Sequence, residues 1–227
     1  VNRVAAEKYP DVKFTAFGGL CLNRPVGGLN PDAVETSLKL GAKVIWLPTN
    51  TAENHYRKNG KDPSKGVVVT RDGKAVDELQ DIFALVKQYN AVLATGHIGA
   101  EECFPVVEAA RAAGVEKIVV THPEFWVVGM TQEQQAEIVK KYDVLLESVY
   151  AQPVNGGYKI NIPDNIAAMK AIGPEHFVIS TDSGQTVNPY WYESYTTYFK
   201  AVSEVFTPEQ VRKMTHDNPA WLLDIDQ

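Results

Sequence analysis

Three stretches share one pattern: an apolar run stops on a group that can bind a metal or move a proton. "VLATGHIG" stops on His97, "IVVTHPEF" on His122 and "VISTDSGQ" on Asp182. Two neutral imidazoles and a carboxylate are the ligand set of a catalytic zinc site that keeps one position for water. A metal there lowers the pKa of its water and creates a nucleophile at neutral pH, and Asp182 can take the released proton. Taken singly, a strand-end His reads as a hydrogen-bonded structural residue, and an Asp before Ser-Gly as a turn or cap residue. Recurrence at the same place in three units points to a shared metal or catalytic site. Glu147 in "VLLESV" is a fourth candidate. A carboxylate in so apolar a strand needs a partner. It reads either as a group that contacts substrate or orients a ligand, or as half of an ion pair inside a barrel.

These residues need elements to carry them. Apolar or β-branched runs at 13–20, 43–48, 91–95, 117–121, 144–149 and 177–181 read as six strands. Helical spacing covers 31–42, 75–90, 100–114, 131–142 and 163–173, and the last part of the chain is helical. Continuous apolar strands imply burial on both faces, as in a parallel sheet. His97 to His122 is 25 positions and His122 to Glu147 is 25 again. One strand-helix unit per repeat suits a (β/α)8 TIM-barrel-like α/β fold, with a doubly wound parallel sheet as the alternative. In a barrel, catalytic groups sit at the C-terminal ends of the strands. Residues 1–227 then form a single domain, with 49–74 a polar excursion holding a small hairpin turned at Asp72-Gly73.

Other polar residues read less sharply. His55, in the excursion, is a solvated loop residue or a substrate contact folded over the mouth. Arg24, in the loop "LNRPVGGLNP", either faces solvent or holds a substrate carboxylate or phosphate bidentately. Glu124 reads as a loop acid, His176 as structural at the opposite barrel end, and His216 as surface. The aromatics of "QTVNPYWYESYTTYF" suit a subunit interface, hence a homo-oligomer, with 188–191 left open as a wall of the mouth.

The totals exclude several classes. The chain has 227 residues, 44% apolar and 22% charged, with a formal net charge of -6. With no basic run, nucleic acid is not an expected partner. No apolar stretch approaches the roughly 20 residues of a membrane span. The two cysteines, Cys21 and Cys103, are too few for a disulfide framework and suit a reduced, cytoplasmic protein.

A His after the fifth strand, a His after the sixth and an Asp after the eighth resemble the metal pattern of the amidohydrolase superfamily, which are metal-dependent hydrolases on a TIM barrel. "DNPAWLL" is similar to the helix near the end of such enzymes. "LNRPVGGLNPDAVETSLKLGAKVIWLPT" resembles an amidohydrolase-like cytosolic branch of them. The resemblance implies His97, His122 and Asp182 as metal ligands. It implies hydrolysis of an amide, lactone or related bond of a small molecule, with Asp182 as proton acceptor and donor. The residues themselves add Glu147 as a second catalytic candidate and Arg24 and His55 as candidate substrate contacts. The His-x-His of the superfamily's first strand does not occur here, and only two strands precede "VLATGH". The resemblance therefore implies a barrel lacking its first strand-helix-strand unit, with six of eight strands. "VIWLPT" lacks the Lys or Glu that bridges two metals, which implies a single divalent ion, zinc. From other classes come a non-catalytic barrel used for binding or assembly, and a metal-free enzyme using His and Asp as acid and base.

Overall fold

The computed structural model describes residues 1–12, 15–154 and 156–225. Helix α1 (Asn2–Lys8) buries no residue and leads to strand β1 (Gly18–Cys21). Then come α2 (Pro31–Lys39), β2 (Ala42–Trp46), α3 (Glu53–Lys58), β3 (Thr70–Arg71), β4 (Lys74–Ala75), α4 (Leu79–Gln88), β5 (Val92–Ala94), α5 (Ala100–Ala112) and β6 (Ile118–Val120). The second half holds α6 (Gln132–Tyr142), β7 (Leu145–Val149), β8 (Ala151–Val154), β9 (Gly157–Ile160), α7 (Ile162–Ile172), β10 (Phe177–Ser180), α8 (Trp191–Ser203), α9 (Pro208–Arg212) and α10 (Asn218–Leu223).

Six strands pair in parallel in the order β1-β2-β5-β6-β7-β10. Each new strand adds on the same side as the last. A doubly wound sheet reverses direction part-way, so this order rules that alternative out. The fold is TIM-barrel-like α/β, with six of the eight strands among the described residues. The first strand begins later than its β-rich composition suggests: Gly18 and Gly19 lie inside β1, and Lys13 and Phe14 of the expected strand lie outside the described residues.

Alternation along the strands builds two apolar layers. Ile45, Leu93, Ile118, Val120, Leu146, Phe177 and Ile179 enter the main core with the helices. Val44, Trp46, Val92, Ala94, Val119, Leu145 and Val178 face the barrel interior, where they meet Leu222 and Leu223 of α10. Helix α10 therefore stoppers one end. Asp224, just past it, accepts from Asn90 Nδ2 at 3.0 Å and pairs with Lys43 Nζ at 3.2 Å and with Lys117 Nζ. Lys43, Asn90 and Lys117 all stand at strand beginnings, so the stoppered end is the N-terminal one. The C-terminal end is left open.

The excursion holds more than the expected hairpin. Strands β3 and β4 pair around Asp72-Gly73, and α3 precedes them. Thr70 Oγ1 donates to Glu102 Oε1 at 3.1 Å, tying the hairpin to α5. A second hairpin, β8–β9, follows β7 without having been expected. Tyr198, among the aromatics assigned to an interface, is instead fully buried and accepts from Asn165 Nδ2 at 2.7 Å. Tyr190, Trp191 and Tyr192 are exposed. Among the described residues no helix is long and apolar enough to cross a membrane.

The C-terminal clasp carries a pH dependence. Burial pushes the Asp224 carboxyl up, but the Lys117 and Lys43 ammoniums outweigh it and hold it below its ordinary value. A depressed folded pKa adds stability above the unfolded value, near pH 4, and that stability is lost as pH falls through the folded value. Asp224→Asn is expected to cost about 2 kcal/mol at pH 7, less than a fully buried pair because Asp224 is 40% exposed. The difference from the parent should fall as the pH drops below about 4 and be clearly smaller at pH 3 than at pH 7. Urea melts at the two pH values check this.

Candidate active site

The open end of the barrel is a cavity of about 640 Å³. His97, His122, Glu147 and Asp182 all line it, and so does His55. Each strand ends differently to deliver its group. After β5 the chain turns through Gly96, at φ +64°, where a Cβ would strike the carbonyl oxygens of Leu47 and Pro48, the latter at 2.7 Å. His97 N donates to that Pro48 carbonyl at 3.0 Å. After β6 and β10 the turning residues are His122 and Asp182 themselves, at φ +25° and +49°. Positive φ is unfavourable for residues with a Cβ and costs about 1–3 kcal/mol where the surroundings enforce it. Both side chains are thus placed by turns that the local sequence would not choose.

Buried threonines join the two histidine turns. Gly96 N donates to Thr121 Oγ1 at 3.0 Å, and Thr121 N donates to Thr95 Oγ1 at 3.0 Å. The His97 and His122 rings lie 5.0 Å apart, and Phe125 stands edge-on to both, at 5.5 and 4.7 Å. His55 meets His97 with ring centroids 5.0 Å apart, planes 16° apart and the two Nδ1 atoms 2.8 Å apart. Its position comes from Asn54, a buried residue on α3 whose Nδ2 donates to the carbonyls of His97 (3.0 Å) and Val127 (2.8 Å).

Burial sets the charges. It drives His97 down to about 2, helped by His122 and His55, and His122 down to about 4. Burial lowers His55 too, with Lys61 adding to it. Burial thus favours the neutral form of all three imidazoles at pH 7, the form that can bind a metal. The carboxyls move the other way. Burial pushes Glu147 up to about 7 against the Ser180 hydroxyl, which donates to its Oε1 at 2.8 Å. Burial pushes Asp182 up to about 6 against its hydrogen bond from Gln185 Nε2 at 3.1 Å.

The structure does not bring Arg24 to the cavity: its guanidinium donates to the Lys65 carbonyl at 3.1 Å and fastens the excursion instead. Glu124 is not a solvated loop acid either. It is half-buried, receives Asn161 Nδ2 at 3.3 Å, and burial raises it to about 8. His55 is neither a free loop residue nor remote from the histidines. Sequence reasoning missed Asn54, Phe125 and Trp126, and also Asn23. Its Oδ1 accepts from the amides of Thr49 and Thr51, binding the first mouth loop to the second.

The donor set suits a divalent first-row ion in chemistry, since neutral imidazole and carboxylate are zinc ligands. His122 Nδ1 is buried with no hydrogen-bond partner, as a metal donor would be without its ion. Among the described residues, no three His, Cys, Asp or Glu side chains are already spaced around one ion position. The donors fit in kind, and His55 and His97 face each other at hydrogen-bond distance.

Residues 2–147 match the model of a family described as "Family of unknown function (DUF6282)". The chain belongs to that family. No curated protein matches it. Among solved structures, it is similar to an amidohydrolase from Pseudomonas aeruginosa at 14% identity and a TM-score of 0.58, covering 86% of this chain and 67% of that one. A metallo peptidase from Rhodobacter sphaeroides, liganded with a phosphinate mimic of L-Ala-D-Ala, matches at 11% and 0.55, over 88% and 60%. A 2,6-dihydroxybenzoate decarboxylase from Rhizobium matches at 15% and 0.55, over 100% and 76%. At these identities the likeness is one of fold, and that fold carries both hydrolases and a decarboxylase.

Gly96→Ala is expected to destabilise the protein by at least about 1–3 kcal/mol, the cost of an enforced positive φ, with the carbonyl clash in addition. Thr121→Val, which only removes the hydroxyl, should cost about 1–3 kcal/mol by leaving the Gly96 amide unpaired. Chemical denaturation reads both. Near-neutral results would mean that the histidine turns are not held as described.

Proposed function

We propose that the chain carries the active site of a metal-dependent hydrolase of the amidohydrolase type, acting on an amide, lactone or related carbonyl-type bond of a small molecule. The observation that carries this is the buried, unpartnered Nδ1 of His122, in a cavity that His97, Glu147 and Asp182 also line. His97, His122 and Asp182 would hold one divalent ion, zinc by donor type. When bound, that ion supplies Lewis-acid polarisation of a carbonyl and a water of lowered pKa.

The chain's own groups supply the rest. Asp182 receives the proton released from the attacking water and later returns it to the leaving group. Gln185 Nε2 donates to Asp182 Oδ2 at 3.1 Å and so orients the carboxylate. Glu147, with Ser180 on its Oε1, is a second carboxyl in the same cavity that can hold a proton near neutral pH. Phe125 and Trp126 give the cavity an apolar wall.

The 2.8 Å contact between His55 and His97 favours a second reading, a metal-free enzyme in which an imidazole pair moves protons. Metal analysis combined with Asp182→Asn separates the two. The metal reading expects a metal-activated hydrolysis that Asp182→Asn lowers by about 10²-fold or more, the range of a general acid-base group, with melting unchanged. Turnover unaffected by chelation and by Asp182→Asn would overturn it.

A further inference from the structure

We propose that His55 is a positioning residue for His97: it accepts the Nδ1–H of His97 and so leaves the His97 Nε2 lone pair for the cavity. This rests on reading the cavity as an active site in which His97 is a donor, and it gives the polar excursion a part in that site.

The contact has the geometry of an in-plane hydrogen bond. The Nδ1 atoms stand 2.8 Å apart and the ring planes differ by 16°. The centroid separation of 5.0 Å is close to that contact plus the two ring radii. Both nitrogens therefore lie near the line joining the rings, where an imidazole N–H and an imidazole lone pair point. A neutral imidazole has one N–H and one lone pair, so one ring donates and the other accepts. If His55 donates, the Nδ1 lone pair of His97 is consumed and its Nε2 carries the hydrogen. His97 then has no lone pair to offer the cavity it lines. If His97 donates, its Nε2 keeps a lone pair, and the remaining N–H belongs to half-buried His55 at the cavity edge. Only the second arrangement leaves His97 able to bind an ion or take a proton. It also follows a general habit of metal-binding histidines, which pass their other ring N–H to an acceptor that fixes tautomer and orientation.

A residue that positions another must itself be held, and His55 is. Its neighbour Asn54 is 4% exposed and donates from Nδ2 to the carbonyls of His97 at 3.0 Å and Val127 at 2.8 Å. The two histidines are thus joined through the backbone of one as well as through their rings. Gly99, two residues after His97, leaves room for this: a Cβ there would come within 3.1 Å of Asn54 Oδ1. On the other side, Asn59 Nδ2 donates to the His55 carbonyl at 2.8 Å and closes the end of α3.

The test reads the tautomer of His97 in the full, metal-free chain, by long-range proton–nitrogen NMR with labelled histidine at about pH 8, where an unperturbed imidazole is neutral. The chain has five histidines, so single variants assign each signal. Parent, His55→Gln and His55→Leu are compared, with thermal melting to confirm folding. The proposal expects the parent's His97 to carry its hydrogen on Nδ1. His55→Gln, whose amide oxygen can accept, should keep that tautomer, and His55→Leu should lose it. Zn(II) affinity, measured by competition with a chelating dye, should fall about 10–100-fold in His55→Leu, the usual worth of a group behind a ligand, and recover in part in His55→Gln. A parent whose His97 carries its hydrogen on Nε2 overturns the proposal. So does a folded His55→Leu with the parent's tautomer, even if its affinity drops, since His55 then acts only as packing. Should His55→Leu melt early, the parent's own tautomer decides. A parent that takes up no Zn(II) overturns the metal reading alone, and the tautomer of His97 still decides the role of His55.

Discussion

Two hydrogen bonds between buried threonines and backbone amides hold the site in register. Thr121 receives the Gly96 amide, and Thr95 receives the Thr121 amide. They lock the ends of β5 and β6 side by side, so the turns that follow must present His97 and His122 to the same space. A parallel sheet alone would bring the strand ends to one edge but would leave the turns free. Here the strained turns at His122 and Asp182 persist because the packed strands beneath over-determine them. Loss of these bonds would release the histidines into separate loop conformations.

The two ends of the barrel are built differently, and that difference creates the site. At the N-terminal end, α10 lays Leu222 and Leu223 on the interior face, and Asp224 clasps three strand beginnings. At the other end no apolar stopper is present among the described residues. The space is lined by imidazoles kept neutral and carboxyls pushed toward neutral pH, all by the same cause, burial. Groups in that state are poised for metal binding or proton movement rather than for ion pairing.

Much of this was legible in the sequence for a physical reason. Strands buried on both faces leave apolar runs, and a polar residue ending such a run stands out. His97, His122, Glu147 and Asp182 were visible that way, and all four face one cavity. The strand order could not be read locally, and the doubly wound alternative fell only to the observed pairing. The sequence left His55 between a solvated loop residue and a contact folded over the mouth, because its place depends on Asn54 reaching a carbonyl 43 positions away and another 73 positions away. No periodicity encodes such a contact. Arg24 looked like an anion binder for its chemistry alone, yet its guanidinium found a nearby carbonyl. The β8–β9 hairpin had a signal that went unused, the Asn-Gly pair at 155–156.

The central claim is that one divalent ion sits between the strand-end histidines. A crystal soaked in zinc, with data collected at the zinc absorption edge, measures this directly. The account expects a single strong anomalous peak per chain, about 2.0–2.1 Å from a ring nitrogen of His97 and one of His122. No peak in that cavity, or a peak only on surface side chains such as His216, would contradict it.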